Sequence, residues 1–342
     1  MDIPVTPFIS IVIPVHNMSA GIYRCLRSIV GQMSDDTEII VVDDGSTDDS
    51  SLVVSRFVDT DARIHLIRQQ KSGVSTARNA GIVAAQGSYL LFIDADDEIE
   101  YDYLQNIKSC AKNIGADMLV WGLKRCFSDG RIDEWKPKIE GTFSRKDFLS
   151  LFPSYQYREQ TGLYGFVPNK LIKKEIVDRF GLRFNPDLSI QEDFDFFLDC
   201  YAHSETIHCF GETGYRYNIS NGINKPTSRA VSYPQLIDVQ NKCVNLLKKE
   251  GAWTSDNKRR LFLVIGNLSL SMILENRRAT RSMVESQMDY IWESPYCIPA
   301  IQALDSRRKG LKHLILKRNV LGTLVYARIW RAYLFLRTGG RS

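Results

Sequence analysis

Four short apolar runs, each closed by a polar cluster, follow one another before residue 100, with helical spacing in the gaps. Phe8-Ile9-Ser10-Ile11-Val12-Ile13-Pro14-Val15 ends in His16-Asn17, and Glu38-Ile39-Ile40-Val41-Val42 ends in Asp43-Asp44-Gly45-Ser46-Thr47-Asp48. Arg63-Ile64-His65-Leu66-Ile67 leads to the polar stretch from Lys71 to Asn79. Tyr89-Leu90-Leu91-Phe92-Ile93 passes straight into Asp94-Ala95-Asp96-Asp97-Glu98. Runs this short and continuous suit strands buried on both faces. Pro14, which cannot donate to a ladder, is expected to stop the first of them. Ile22, Leu26, Ile29 and Val30 keep helical spacing, as do Leu52, Val53 and Phe57. Ser19 is the expected cap of the first helix, and Ser46, Thr47 or Asp48 that of the second. The alternation predicts an α/β fold with a mostly parallel sheet, flanked by helices and joined by right-handed crossovers. The C-terminal strand ends of such a sheet share one edge, where open α/β sheets bind ligands. The four polar clusters therefore converge.

Asp94 and Asp96 stand two apart with only Ala95 between them. They form either a polar turn after a core strand or a site for a hard divalent cation such as Mg²⁺ or Mn²⁺, which in turn binds phosphate. A dinucleotide site would need GxGxxG after the first strand, and a P-loop would need GxxxxGK; neither pattern is present.

The 342 residues suffice for two domains, and 44% hydrophobic content supports a sizeable core. A net charge of +4 gives no bulk argument for nucleic acid as a partner. The seven cysteines are odd in number and form no CxxC pair, so neither a zinc site nor a disulfide framework is expected, and a reducing cytosol is. Residues 1–10 lack the pattern of a secretory signal, and no apolar run reaches the ~18 residues of a membrane span.

The segments Ile11 to Asn17, Val41 to Asp48, Gly73-Val74-Ser75-Thr76-Ala77-Arg78-Asn79 and Asp94-Ala95-Asp96-Asp97 resemble those of family 2 glycosyltransferases, in the family's order and at its spacings. The resemblance covers the chain to about residue 120. It implies a Rossmann-like sheet of GT-A type, a nucleotide-diphosphate-sugar donor, a divalent metal and inversion at the anomeric carbon. Carried onto this sequence, it implies that Pro14 and His16 flank the nucleobase and ribose. Asp44, with Asp43, would accept a hydrogen bond from the base, an arrangement suited to uracil and hence to a UDP-sugar. Arg78 would neutralise phosphate or hold the acidic turn. Asp94 would face the ribose or a metal-bound water, and Asp96 would bind the cation, Mn²⁺ or Mg²⁺. The same residues also serve as turn formers, caps and surface ion pairs in ordinary loops.

Further along, Asp117 to Gly122 reads as a strand. Ser128-Asp129-Gly130 reads as a hairpin turn, and Phe143 to Phe152 as a helix capped by Ser144. Asn169-Lys170-Leu171-Ile172 resembles a segment that precedes the family's second acidic motif, where Lys170 either approaches the diphosphate or is a helix-surface lysine. Gln191-Glu192-Asp193 opens an apolar helix. Acids at a helix start are expected from the macrodipole alone. The resemblance adds a role: Asp193 as general base toward the acceptor hydroxyl, and Glu192 as the group that orients the acceptor. Tyr215 to Asn218 resembles an aromatic-basic segment leading to a loop over the donor, although Ser220 to Asn224 departs from the usual serine-containing ending. His203 and His208 are read as ordinary helix and strand residues rather than metal ligands.

Residues 1–235 are thus expected to form the nucleotide-sugar-binding and catalytic domain, and 236–342 a helical C-terminal extension. From Ser306 onward there are ten Lys and Arg and no Asp or Glu, interleaved with Leu, Ile, Trp and Tyr. That pattern suits either a basic amphipathic helix on an anionic membrane surface or a helix packed on its domain with a solvated basic face. The expected protein is a metal-dependent transferase moving sugar from a UDP-sugar to a glycan or lipid-linked glycan hydroxyl in cell-surface polysaccharide assembly. Its expected place is cytoplasmic, peripheral at the inner face of the cell membrane. The rival expectations are a nucleotidyltransferase and a non-catalytic sugar-nucleotide or glycan-binding module.

Overall fold

The computed structural model describes residues 6–153, 156, 165–219, 232–275, 280–305 and 308–337. The chain divides into two compact units, Met1–Ala230 and Val231–Ser342.

In the first unit the elements are β1 (Ile9–Val15), α1 (Ser19–Val30), β2 (Thr37–Asp44), α2 (Ser50–Val58), β3 (Ile64–Gln69), α3 (Val74–Ala84), β4 (Tyr89–Phe92), β5 (Glu98–Ile99) and α4 (Tyr103–Ile114). There follow β6 (Met118–Val120), β7 (Leu123–Phe127), β8 (Ile132–Trp135), β9 (Gly141–Ser144), α5 (Arg145–Pro153), β10 (Lys170–Lys173), α6 (Lys174–Arg179), α7 (Glu192–His203), β11 (Thr206–Cys209) and β12 (Tyr215–Ile219). Eight strands make the main sheet in the order β3-β2-β1-β4-β10-β6-β11-β9. Strands β3, β2, β1 and β4 are mutually parallel, β10 runs antiparallel between β4 and β6, and β9 is an antiparallel edge. The mixed sheet, mostly parallel and flanked by helices, is the expected architecture.

Strands β1 and β2 are buried at every position because helices cover both faces. Ile11, Ile13, Ile39, Val41 and Leu91 meet α1 and α4 through Ile22, Leu26 and Ile107. On the opposite face α3 comes close enough to β1 that a Cβ on Gly81 would lie 2.2 Å from the Val12 side chain. Also on that face, Phe196 of α7 packs edge-on against Phe92 of β4, centroids 6.0 Å apart. Helices α3 and α7 therefore share a face, which fixes what their N-terminal turns can reach.

Three local expectations need correction. Strand β1 does not stop at Pro14, which pairs with Val42, while Val15 pairs with Asp43. Ile93 donates to the Val12 carbonyl, so Pro14, two residues on, also faces the β4 side, where β4 has already ended. No ladder partner is there to miss the absent N–H. Ser19 does not cap α1; the Asp48 carboxylate does so from the next loop, accepting from the Ser19 amide at 3.1 Å and also from the Ser50 amide at 3.0 Å. Phe143 is a strand residue opposite Ile207, and the helix begins at Arg145 with Ser144 accepting from the Asp147 amide.

A second sheet, β5-β12-β7-β8, includes the hairpin around Ser128-Asp129-Gly130, where Gly130 takes φ +85°. The second unit is helical: α8 (Tyr233–Lys249), α9 (Ser255–Leu274), α10 (Arg281–Glu293), α11 (Cys297–Ala303), α12 (Lys309–Leu316) and α13 (Val320–Arg337). Its core gathers Leu247, Ile265, Ile273, Ile291, Ile301 and Ile315, all fully buried. Helix α13 buries Thr323, Leu324 and Ala327 and exposes Leu321, Val325, Ile329 and Tyr333. Among the described residues no helix is long and apolar enough to cross a membrane.

Candidate active site

The rim is built where β1, β2 and β4 end and α3 and α7 begin. Its loops are cross-tied. Asn17, at φ +50°, donates its amide to Ser46 Oγ at 3.0 Å and accepts from the Thr47 amide at 2.7 Å. Asp43 accepts from the Ser46 amide at 2.9 Å, the usual way an aspartate folds a turn over itself. Gly45 sits at φ +69°, where a Cβ would come within 2.8 Å of the Lys71 amide nitrogen. Asp44 spans to the next loop, accepting from Gln69 Nε2 at 2.7 Å and from the amides of Ser72 and Gly73 at 2.7 and 2.8 Å. Both aspartates are buried. A carboxylate offers about four lone-pair positions, so a nucleobase N–H would share Asp44 with three resident donors. Ser72 to Ser75 and Pro186 to Ser189 line a cleft of about 370 Å³ beside this clasp.

His16 follows β1 with its Nδ1 buried and without a partner among the described residues. Pro14 lies inside β1, one residue from the rim.

Arg78, one turn into α3, is 4% exposed and reaches three acids. Its Nη1 donates to Asp193 Oδ1 at 2.6 Å and lies 3.8 Å from Glu192 Oε1; its Nη2 donates to Asp94 Oδ1 at 2.9 Å. The guanidinium also rests on the Phe184 ring, 5.2 Å from its centroid. Burial opposes the charge, but Asp193, Asp94 and Glu192 outweigh it and hold the Arg78 pKa above its ordinary value. Burial pushes the Asp193 carboxyl up to about 7; Arg78 opposes this, while Glu192 and Asp94 reinforce it. Oδ2 of Asp193 accepts from no described residue.

The three acids after β4 diverge in role. Asp94 meets Arg78. Asp96 is partly exposed, and no hydrogen bond from another described residue reaches its carboxylate; burial and the charge of Asp94 raise its pKa, with its own amide and Arg24 opposing. Asp97 turns inward, fully buried, accepting from Tyr215 Oη at 2.6 Å and from the Asn218 amide at 2.7 Å. The Asp94 amide donates to the same Tyr215 oxygen at 3.3 Å. Tyr215 to Asn218 thus brace the acidic turn from β12; the following residues, Ser220 to Asn224, lie outside the described part of the chain. Among the described residues no three His, Cys, Asp or Glu groups converge to hold a metal. The donor set, one unengaged carboxylate beside a second, fits a hard cation that takes its other ligands from phosphate and water.

Lys170 is not on a helix surface. It opens β10, fully buried; its Nζ donates to the Phe166 carbonyl and, at 2.6 Å, to Asn169 Oδ1, beneath the Phe197 ring. That encloses it in the interior, within electrostatic reach of Asp193. Burial drives its pKa well down, against the pull of Asp193. His203 bonds the Asp199 carbonyl and packs on Phe180, and His208 pairs with Thr142, so each is already engaged. Sequence reasoning gave no role to Asn79, which exchanges two 2.8 Å bonds with the backbone of Phe184 and so pins the segment leading to α7. Asp97 and Tyr215 were likewise unassigned; only their place within the resembling segments marked them.

A mostly parallel α/β sheet with acids gathered at its C-terminal edge is the GT-A type of architecture. Residues 10–181 match the family model described as glycosyl transferase family 2, and the chain belongs to that family. It is 30% identical over 213 residues to the uncharacterized glycosyltransferase EpsJ of Bacillus subtilis (strain 168), covering 62% of this chain and 61% of EpsJ. It is 28% identical over 247 residues to the glycosyltransferase GlyA of Streptococcus pneumoniae serotype 4, covering 71% of this chain and 35% of GlyA. The chain therefore spans less than two thirds of either relative. Among solved structures, residues 1–349 of S. aureus TarS in complex with UDP-GlcNAc share the fold with a TM-score of 0.68, covering 95% of this chain and 91% of that one at 17% identity.

Proposed function

We propose that this chain is an inverting glycosyltransferase that moves a sugar from a UDP-sugar to a glycan or lipid-linked glycan hydroxyl, in cell-surface polysaccharide assembly at the cytoplasmic face of the membrane. The observation that carries the reading is the Arg78 bridge, which holds Asp94 of the donor edge and Asp193 of α7 on one guanidinium. TarS has been crystallised with UDP-GlcNAc, which supports a uridine donor for the shared fold.

Pro14, His16, Asp43 and Asp44 form the wall for uracil and ribose. Asp44 contributes by fixing the Ser72–Gly73 amides as well as by its own remaining acceptor capacity. Asp96, with Asp94 beside it, would hold Mg²⁺ or Mn²⁺. That cation, when bound, supplies positive charge for the departing diphosphate. Asp193 accepts the acceptor's O–H proton as the acceptor oxygen bonds to the anomeric carbon. The bond from that carbon to the phosphate oxygen breaks, and its electron pair leaves with UDP. Attack from the face opposite the leaving group inverts the centre. A carboxyl with a pKa of about 7 suits the task, since about half of it is ionised at neutral pH and the ionised form is basic enough to take a proton. Glu192, 3.8 Å from the same guanidinium, orients the acceptor.

The test is Asp193→Asn. Transfer should fall by roughly 10²–10⁴-fold while the UDP dissociation constant, read by calorimetry, stays near that of the parent. Undiminished turnover would remove Asp193 as base.

A further inference from the structure

Helix α13 carries its apolar residues on two faces. Thr323, Leu324 and Ala327 are inside, yet Leu321 is 64%, Val325 49%, Ile329 64% and Tyr333 51% exposed. Positions four apart on a helix stack one above another, so Leu321, Val325 and Ile329 form one continuous ridge. Monomeric proteins rarely leave such a ridge open to water. Arg328 is exposed beside it.

The neighbouring helix supplies the charge. Helix α12 packs along α13, with Leu314 against the Gly322 position, Tyr326 against Gly310 and Arg308 over the Trp330 ring at 5.4 Å. It buries Leu311 and Ile315 and exposes Lys309 and His313, and Lys317, just past its end and four residues on, is exposed as well. Lys309, Lys317 and Arg328 have no acidic partner among the described residues, and the sequence holds no Asp or Glu after Asp305. Among the described residues Arg318 is engaged with Asp289 at 2.6 Å, Lys312 with the Gln302 and Leu304 carbonyls, and Arg331 with the Leu274 carbonyl.

We propose that the paired ridges, Leu321-Val325-Ile329 and Lys309-His313-Lys317 with Arg328, form a surface that docks on an anionic lipid bilayer. The apolar ridge enters the boundary between headgroups and acyl chains, and the cations meet lipid phosphates. A second copy of the chain pairing through this face would set two surfaces that both carry Lys309, Lys317 and Arg328 against each other, which like charge opposes. This surface is independent of the donor rim, so the proposal stands or falls apart from the transferase reading.

The experiment is co-sedimentation of the full chain with vesicles of phosphatidylcholine alone and of phosphatidylcholine mixed with phosphatidylglycerol. The chain should pellet with the mixed vesicles only, and added salt should weaken it. Lys309→Gln with Lys317→Gln and Arg328→Gln should lower the apparent affinity on the order of a hundredfold, three cations at the lipid surface acting together. Ile329→Ser should also lower it, with an unchanged melting temperature because Ile329 is exposed. Equal binding to both vesicles, or no binding to either, overturns the proposal. So does self-association in the parent, measured by light scattering, that Ile329→Ser abolishes.

Discussion

Arg78 and Asp193 lie 115 residues apart in sequence and 2.6 Å apart in space. Their meeting follows from α3 and α7 packing on the same face of the sheet. The bond has two consequences for the carboxylate. It fixes one oxygen, Oδ1, and it restrains a pKa that burial and two other acids push upward.

Arg78→Gln removes that restraint. The pKa of Asp193 then rises, and the base stays protonated to higher pH. The acidic limb of the pH–rate profile, near pH 7 in the parent, should move toward alkaline pH. The variant also leaves Asp94, Glu192 and Asp193 facing one another without their cation. Breaking a buried pair in this way costs about 3–5 kcal/mol, which urea denaturation would register.

The raised pKa of Asp193 also sets a sign for stability. A carboxyl that titrates near 3.8 when unfolded and near 7 when folded binds more protons in the folded state between those values. Its contribution therefore falls as pH rises from about 4 to about 7 and is flat above. Asp193→Asn should lose less stability than the parent between pH 5 and pH 8, judged from paired melting curves; equal slopes would mean the folded pKa is near the ordinary one.

Asp96 and Asp97 are adjacent but should respond oppositely. Asp96→Ala removes an unengaged carboxylate and should change stability by no more than ~0.5 kcal/mol. It should abolish any strengthening of UDP binding by Mn²⁺, and a chelator should then have no further effect. Asp97→Ala strands the Tyr215 hydroxyl and the Asn218 amide and should cost about 2–3 kcal/mol. Calorimetry with and without the cation, beside a denaturation curve, separates the two.

Asp48→Ala removes one carboxylate that serves two helix starts, those of α1 and α2. A loss of about 1–2 kcal/mol is expected, more than one ordinary surface change would give. Its carboxyl pKa lies below the ordinary value because bonds from Ser50 and Ser19 outweigh the cost of burial. The contribution should fade as pH falls through the acidic range.

Much of the first unit was readable because its order is local. Each of β1 to β4 is a run of apolar residues whose polar sequel lies beside it in the chain, and parallel pairing then sets the rim. The bonds from Asp44 to Ser72 and Gly73, from Asp48 to Ser19 and from Asp97 to Tyr215 and Asn218 were not readable, since each joins segments far apart in the chain whose packing no local pattern encodes. For Lys170 the helix-surface alternative fails for a related reason. Lysine on a short segment suggests a surface, yet β10 is threaded through the middle of the sheet, where the side chain is enclosed. The capping of α1 by Asp48 escaped because Ser19 occupied the expected place.

The position of β10 bears on how the molecule is assembled during synthesis. Strand β4 leaves the ribosome with one edge bare and must keep it so until Lys170–Lys173 emerges, because β10 pairs with both β4 and β6. The nascent chain thus carries an unfinished sheet past Val120, with open backbone donors and acceptors that another strand could capture. Truncations placed between β6 and β10 should for this reason yield inclusion bodies instead of a smaller folded domain.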